Sequence, residues 1–329
     1  MRIRFLPLLV LAVTLCFCLP AFAADTYSLK LGHTGAPNHH YQEICILFAK
    51  KVEEGTGGKV KIAIFPSDQL GRQAESVEGV MLGTHDMVLT SDVVLSNWVP
   101  DMGILNLPFI FSDAWAARAA LDGPAGKKLA KKMEVEGAVV IGWWDQGMRH
   151  VTNSKKPITV PDDLKGLKIR MPEGEVFVET FKALGAGPTV ISFGELYTAL
   201  QLKTVDGQET SPAHIVSLKL HEVQKYVSRT GHIYTASPLI MNKKLLDGMP
   251  EEYRNVILQA GEECGPIHTK IIEEQEKGQW EEIAKSGMII NDVDKAPFRE
   301  KVKPVIENFK KKLDASLIEE IMAAGEGKK

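Results

Sequence analysis

The chain has 329 residues, of which 44% are apolar and 25% are charged, and its formal net charge is −3. Charges so close to balance exclude a large basic surface for nucleic acid, and charged residues spread along the chain exclude an integral membrane protein and a disordered one. A chain of this length exceeds what one hydrophobic core usually organises, so the sequence predicts two lobes.

The first 23 residues have the three parts of a secretory signal peptide. Arg2 and Arg4 form a basic start, an apolar stretch covers 5–19, and Ala-Phe-Ala at 21–23 is the small-x-small pattern that signal peptidase accepts. We therefore predict that residues 1–23 are removed on export. A retained membrane anchor is the alternative, although about 15 apolar residues are short for the roughly 20 that span a bilayer.

Two cysteines, Cys45 and Cys264, remain after the predicted signal peptide. Each lies in a helical pattern, where a small buried apolar residue is the commoner role. We predict two free thiols, and a single disulfide in an oxidising compartment is the alternative.

The first half of the mature chain alternates short apolar strands with amphipathic helices. Apolar residues at helical spacing begin at Tyr41 and end at the glycine-rich run 55–58, because glycine supports the left-handed cap that ends a helix. The pattern predicts strands at 27–31, 60–65, 86–90 and 138–144, and helices at 41–52, 113–121 and 125–136. Such alternation is typical of an α/β fold with a parallel-type sheet.

A second set of elements begins after Gly147. Ser192-Phe193-Gly194-Glu195 has the form of a capping box, in which the serine and glutamate side chains each satisfy an amide at a helix start. The helical pattern over 251–286 would span about 50 Å and so cross both lobes. Strands are predicted at 167–171, 205–209 and 236–241 (the last returning to the first sheet), a helical turn at 161–164, and helices at 174–184, 192–203 and 293–329.

Chemistry-bearing residues gather between positions 144 and 210. The sequence lacks the motifs of a serine hydrolase elbow, a zinc protease, a dithiol pair and a phosphate loop, and we predict no cofactor and no metal site. Arg170 closes one predicted strand and Arg149 follows another, and ligands of α/β sheets gather at such strand ends. A guanidinium matches a carboxylate with two parallel hydrogen bonds. From spacing alone, an internal ion pair or a solvated edge explains Arg170 equally well and Arg149 slightly better.

Several sequence blocks occur in the order of one known family. They are residues 30–33, 65–71, 147–171, 205–209 and 220–226. Together they extend over nearly the whole mature chain, which resembles the substrate-binding proteins of TRAP (tripartite ATP-independent periplasmic) transporters, the DctP family.

The resemblance implies a two-lobed periplasmic binding protein fold, with a mixed β-sheet flanked by helices in each lobe and a long helix spanning both. It implies a periplasmic receptor without catalytic activity, expected to be a monomer, that closes on a small organic acid and delivers it to integral-membrane TRAP permease subunits. The lobes would comprise 24–147 plus 236–270 and 148–235 plus 271–329. A C4-dicarboxylate and a sugar acid both suit the pocket, and an aromatic or keto acid stays open.

The resemblance also implies the binding residues. Arg170 would hold the ligand carboxylate in a two-pronged salt bridge, Arg149 would assist it, and Phe193 would line the pocket. Thr210 stands where the family often has asparagine, so a single hydroxyl replaces an amide. Seven further positions belong to the expected pocket: Thr34, Gln73, Thr90, Ser91, Trp144, Glu173 and His232.

Two other functions remain open at the level of the sequence. A periplasmic sensor that feeds a kinase would use the same fold and the same pocket. A secreted two-lobed enzyme would use Glu75, His150 and Glu209 as acid–base groups, although no nucleophile–base spacing supports it.

Overall fold

A computed structural model describes residues 26–325 of the chain. The predicted signal peptide, residues 1–23, lies outside the described residues. The described part of the chain forms eleven strands: β1 (Tyr27–His33), β2 (Val60–Phe65), β3 (Met87–Leu89), β4 (Ala138–Met148), β5 (His150–Asn153), β6 (Lys168–Met171), β7 (Gly187–Val190), β8 (Gly207–Thr210), β9 (Tyr226–Arg229), β10 (Tyr234–Asn242) and β11 (Ile289–Asp292).

Helices cover both faces of the sheets. Over the same residues 26–325 they are α1 (His40–Gly55), α2 (Gln73–Leu82), α3 (Asp92–Leu95), α4 (Ala114–Asp122), α5 (Pro124–Val135), α6 (Glu175–Leu184), α7 (Leu196–Gln201), α8 (Pro212–Ser217), α9 (Lys243–Asp247), α10 (Glu251–Lys285), α11 (Lys295–Phe309) and α12 (Ala315–Gly325). Within this described range, no helix is both long enough and apolar enough to cross a membrane.

The first sheet has five strands in the order β2-β1-β3-β10-β4. β1 pairs in parallel with β2 and β3, whereas β10 runs antiparallel to β3 and β4. The predicted return of residues 236–241 to this sheet is therefore confirmed. One face of the sheet packs against α1 and α10, where Phe48, Trp144 and Ile257 belong to one buried apolar cluster.

The second sheet has six strands in the order β11-β9-β5-β8-β6-β7. β6 pairs in parallel with β7 and β8, and β11 pairs in parallel with β9. β5 runs antiparallel to both of its neighbours, β8 and β9. Both sheets are therefore mixed.

Three segments connect the two sheets. β4 continues into β5 through Arg149, and β9 continues into β10 through residues 230–233. Gly147 (φ 103°) and Gly231 (φ 51°) give these two crossings a left-handed backbone that other residues rarely adopt. The third segment is α10, which contacts α1 and β4 in the first lobe and α8 in the second. The predicted two-lobed α/β fold with a long helix across both lobes is confirmed.

The C-terminal part differs from the predicted single helix. Residues 295–325 form two helices, α11 and α12, after the strand β11, which the sequence did not predict. α11 packs against α6 in the second lobe, whereas α12 packs against α4 and α5 beside the first sheet. The end of the chain therefore contacts elements of both lobes. The predicted lobe boundaries, 24–147 plus 236–270 and 148–235 plus 271–329, stay predictions.

The two lobes contact each other at two places. Arg72 Nη2 of the first lobe lies 2.9 Å from Glu195 Oε1 of the second. One buried apolar cluster includes Val93 from the first lobe together with Val176 and Phe177 from the second.

Candidate functional site

A cavity of about 190 Å³ lies between the two lobes. The polar and aromatic residues of its first-lobe wall are Thr34, Tyr41, Asp68, Arg72, Gln73, Glu75, Thr90, Ser91 and Gln146. Those of its second-lobe wall are Arg149, Arg170, Glu173, Ser192, Phe193, Thr210 and His214. Strand ends supply most of the second wall, as is usual for ligand sites in α/β sheets.

Arg170 is a buried cation in the second-lobe wall. It lies in β6 with 3% of its surface exposed, and its Nε donates a hydrogen bond to Ile191 O at 2.7 Å. Within the described chain, no acidic side chain forms a salt bridge with it. Burial lowers the pKa of Arg170 to about 10, an effect that nearby Glu209 opposes. The guanidinium therefore stays charged at neutral pH without a counter-ion in direct contact.

Arg149 is buried to the same degree but has a partner. Its Nε lies 2.5 Å from Glu209 Oε2, and its Nη2 donates to Glu209 Oε1 at 2.8 Å. His232 Nε2 lies 3.2 Å from the same carboxylate. Burial raises the pKa of Glu209, but the charge of Arg149 and the hydrogen bonds that Arg149 and His232 donate hold it below its ordinary value. Glu209 thus neutralises Arg149 from behind the cavity.

Aromatic rings form another part of the lining. Phe193 meets His214 edge to face, with ring centroids 4.9 Å apart, and His214 stacks on His39 at 4.4 Å. Burial lowers the pKa of both His39 and His214 well below the ordinary value, so both rings are neutral at neutral pH. Tyr41 donates a hydrogen bond to Gln146 Oε1 at 3.3 Å, which fixes both side chains at the cavity surface.

Several polar atoms of the lining are buried and have no hydrogen-bond partner among residues 26–325. They are Asp68 Oδ1, Gln73 Oε1, Thr90 Oγ1, Ser192 Oγ and His214 Nε2. Leaving a buried polar group unpaired costs about 1–3 kcal/mol, so native structures rarely do it. Because these unpaired atoms share one cavity, a polar ligand bound there could form hydrogen bonds with them.

The sequence profile described as bacterial extracellular solute-binding protein, family 7 (DctP) matches residues 31–312. The chain belongs to this family. DctP-family members that resemble it in sequence and structure are solute-binding proteins of TRAP transporters, which bind small organic acids and work with membrane permeases.

Three relatives show how far the similarity extends. A solute-binding protein of Verminephrobacter eiseniae is 37% identical over 305 residues, covering 92% of this chain and 91% of the relative. The C4-dicarboxylate-binding periplasmic protein DctP of Rhodobacter capsulatus is 30% identical over 321 residues, covering 95% of each chain. The crystal structure of a TRAP periplasmic solute-binding protein from Polaromonas sp. JS666, bound to D-erythronate, has a TM-score of 0.88 and 38% identity, covering 90% of this chain and 98% of that one.

Most of the pocket residues predicted for this DctP-family chain line the interlobe cavity. Nine of the eleven line it: Thr34, Gln73, Thr90, Ser91, Arg149, Arg170, Glu173, Phe193 and Thr210. Their contacts with a ligand stay predictions.

Trp144 and His232 do not line the cavity. Trp144 points from β4 into the layer of α1 and α10, where its Nε1 donates to Gly261 O at 2.9 Å and its ring packs edge to face on Phe48. His232 is 1% exposed and contacts Glu209, so it supports the ion pair behind the wall.

The predicted capping box at Ser192 and Glu195 is wrong. The Ser192 side chain makes no cap hydrogen bond, and its Oγ is one of the unpaired atoms of the lining. The Glu195 carboxylate instead forms the interlobe salt bridge with Arg72. Both polar groups therefore face the gap between the lobes.

Seven polar or aromatic lining residues were not among the predicted pocket residues: Tyr41, Asp68, Arg72, Glu75, Gln146, Ser192 and His214. Gln146 had a local signal, because it is a polar residue at the end of a long apolar strand. Tyr41 fits the apolar stripe of α1, so its spacing indicated only a core position.

Proposed function

We propose that the chain is the periplasmic receptor of a TRAP transporter, which captures a small organic carboxylate by lobe closure and delivers it unaltered to a membrane permease. A C4-dicarboxylate or a sugar acid is the ligand class. The observation that carries the proposal is Arg170, a charged guanidinium buried in the interlobe cavity and, among residues 26–325, without a salt-bridge partner.

A buried cation without a counter-ion favours the binding of an anion. Burying a charge is costly unless it is paired and hydrogen-bonded. Because Ile191 O accepts the Nε hydrogen of Arg170, the two terminal nitrogens are the groups that would donate to both oxygens of a carboxylate. Thr210, 1% exposed in the same wall, supplies a hydroxyl to such an anion.

The relatives support an organic acid as the ligand. The Polaromonas protein binds D-erythronate, and the Rhodobacter relative is a C4-dicarboxylate-binding protein. The predicted signal peptide supports export to the periplasm, where a monomeric receptor meets the permease.

We propose no catalytic activity, because the candidate acid–base groups have structural partners. Glu209 binds Arg149, and Glu75 accepts the backbone N–H of Arg72 at 3.0 Å at the start of α2. His150 Nδ1 accepts the backbone N–H of Gly231 at the crossing between the sheets. These contacts give each of the three candidate groups a structural role.

Arg170→Ala tests the proposal. Titration calorimetry of the wild-type mature chain with a panel of organic acids identifies a ligand, and we expect the variant to bind it roughly 10²–10³-fold more weakly, since one partner of a buried charge pair is lost. Arg229→Ala, which removes an exposed guanidinium remote from the cavity, is the control and should bind normally. Near-wild-type affinity in Arg170→Ala, with an unchanged melting temperature, would contradict the proposal.

A further inference from the structure

The cations that line the cavity differ in whether they are already paired. Arg149 is neutralised by Glu209 in a two-pronged contact, and Arg72 pairs with Glu195 at 2.9 Å. The lining contains these two arginines, Arg170 and no lysine. Arg170 is therefore the one lining cation without an ion pair inside the described chain, and the cavity can neutralise one carboxylate.

The lining also contains acidic residues without a cationic partner. Asp68 in the first-lobe wall and Glu173 in the second have no salt-bridge partner among residues 26–325. Asp68 Oδ1 is buried without a hydrogen bond, and Asp68 lies opposite the second-lobe backbone, with Oδ2 3.6 Å from where a Cβ on Gly194 would lie. Glu75, the third acid of the lining, accepts the backbone N–H of Arg72 and adds to the negative charge of the first-lobe wall. A second ligand carboxylate would be enclosed with these negative charges, and like charges brought together at a binding site repel strongly.

The first-lobe wall contains unpaired acceptor atoms that need hydrogen-bond donors from a ligand. Asp68 Oδ1 and Gln73 Oε1 can only accept, and a ligand carboxylate has no proton to donate to them. The hydroxyl of Thr90, 1% exposed and unpaired among the described residues, lies in the same wall beside Ser91. Ligand hydroxyl groups meet all of these requirements, because a hydroxyl both donates and accepts.

We infer that the ligand is a small polyhydroxylated monocarboxylate, and that Asp68 and Glu173 select it by accepting its hydroxyl hydrogens and repelling a second carboxylate. The inference rests on the proposed function and narrows its ligand class: Arg170 takes the carboxylate, and the first-lobe wall takes the hydroxylated chain. The volume of about 190 Å³ suits a compact acid, since a cavity of about 150 Å³ accepts benzene.

Matched pairs of acids test this inference by calorimetry on the mature chain. Threonate and tartrate have the same carbon skeleton and differ at one end, where a CH₂OH group replaces a carboxylate; galactonate and galactarate form a longer pair. We expect the monocarboxylate of at least one pair to bind roughly 100-fold more tightly than its diacid, as like-charge repulsion requires. Equal or tighter binding of the diacid would overturn the inference.

Charge-neutral variants show which residues cause the discrimination. Glu173→Gln and Asp68→Asn keep the side-chain shapes, and Asn tolerates the left-handed backbone of Asp68 (φ 58°). Each should reduce the preference for the monocarboxylate, by roughly tenfold for the removal of one unit charge. Glu175→Gln is the matched control, because Glu175 is exposed and pairs with Lys312 outside the cavity. An unchanged preference in both charge-neutral variants would overturn the role of these residues.

The two proposals fail in different ways. If a diacid binds more tightly than its monocarboxylate and Arg170→Ala abolishes that binding, the selection by charge is wrong and the receptor function stands. If no acid of either kind binds, the receptor function fails and this inference fails with it.

Discussion

Two guanidinium groups in the same wall of the cavity have different electrostatic surroundings. Arg149 lies against Glu209, which accepts hydrogen bonds from both its Nε and its Nη2, whereas Arg170 has Ile191 O as its hydrogen-bond acceptor within the described chain. Arg149 also lies over the ring of Phe177 at 5.2 Å. We therefore expect Arg149 to stabilise the second-lobe wall, and these surroundings support the proposal that Arg170 binds the ligand.

Glu209→Gln should destabilise the protein. The substitution keeps the side-chain shape but leaves the Arg149 guanidinium buried without its counter-ion, which costs about 3–5 kcal/mol. Urea unfolding followed by tryptophan fluorescence measures the free energy of unfolding. Asp292→Asn, which removes an exposed salt bridge with Arg229, is the control and should change this free energy little. Equal effects of the two substitutions would contradict the assignment.

At the residue scale, the family motifs predicted the residues at strand ends that form the second-lobe wall of the cavity. They did not predict several other side chains that line it. Arg170 and Thr210 are recognisable because each closes a short strand within a motif. Trp144 was placed in the pocket by its position in the family pattern. Its side chain instead lies in the layer of α1 and α10, where its Nε1 donates to Gly261 O. A position in a motif does not show which face of the sheet a strand residue occupies.

At the element scale, the first lobe depends on the close approach of α10 to β4. A Cβ on Gly261 would lie 2.4 Å from Ile141 O, and a Cβ on Gly142 would lie 2.3 Å from Gly261 O. Glycine at these two positions lets the helix backbone touch the strand backbone. The helix that crosses both lobes is thereby fixed to the first sheet.

Gly261→Ala should therefore destabilise the protein. The added methyl group has no room against the backbone of β4, and overpacking of this kind costs about 1–3 kcal/mol. Gly278→Ala on the same helix is the matched control, since nothing lies within 4 Å of its Cβ position. Alanine there should stabilise the helix by about 0.5–1 kcal/mol. Thermal unfolding of both variants checks the opposite signs, and a neutral Gly261→Ala would contradict the close approach.

Periodicity predicted the elements whose apolar stripes are long, such as α1 and α10. It missed β11, whose four residues are half exposed and gain their partner from β9, about 60 positions earlier in the chain. It also merged α11 with α12, because both are amphipathic and a short polar turn separates them. Local sequence patterns do not predict contacts between distant segments, such as the pairing of β11 with β9 or the packing of α12 beside the first sheet.

At the scale of the whole molecule, the structure buries a hydrogen-bonded pair of neutral histidines, His40 and His268. His268 Nδ1 accepts the backbone N–H of Asp145 at 3.2 Å, so its Nε2 carries the proton and donates to His40 Nδ1 at 2.6 Å. A protonated imidazole has no acceptor nitrogen, so adding a proton to either ring breaks one of these hydrogen bonds. Burial lowers the pKa of His268 to about 3 and that of His40 well below 6.5.

The pKa shifts fix how stability depends on pH. A histidine whose folded pKa lies below 6.5 takes up its proton on unfolding, so its contribution to stability is complete above pH 6.5 and is lost as the pH falls towards the folded pKa. Asp92 acts in the opposite direction, since burial raises its pKa to about 7 and the folded state binds a proton there first. Among the described residues, histidines with a lowered pKa outnumber aspartates with a raised pKa. The histidines are His33, His39, His40, His150, His214, His232 and His268. The aspartates are Asp68, Asp92, Asp122 and Asp145.

We therefore expect the free energy of unfolding to fall as the pH decreases below about 6.5, because the unfolded state then binds more protons than the folded state. His268→Gln removes one of these protons, so its unfolding free energy should fall less steeply with pH than that of the wild type, even if the variant is less stable at neutral pH. Urea unfolding at a series of pH values measures both slopes, and parallel lines for His268→Gln and the wild type would show that His268 is not neutral in the folded protein.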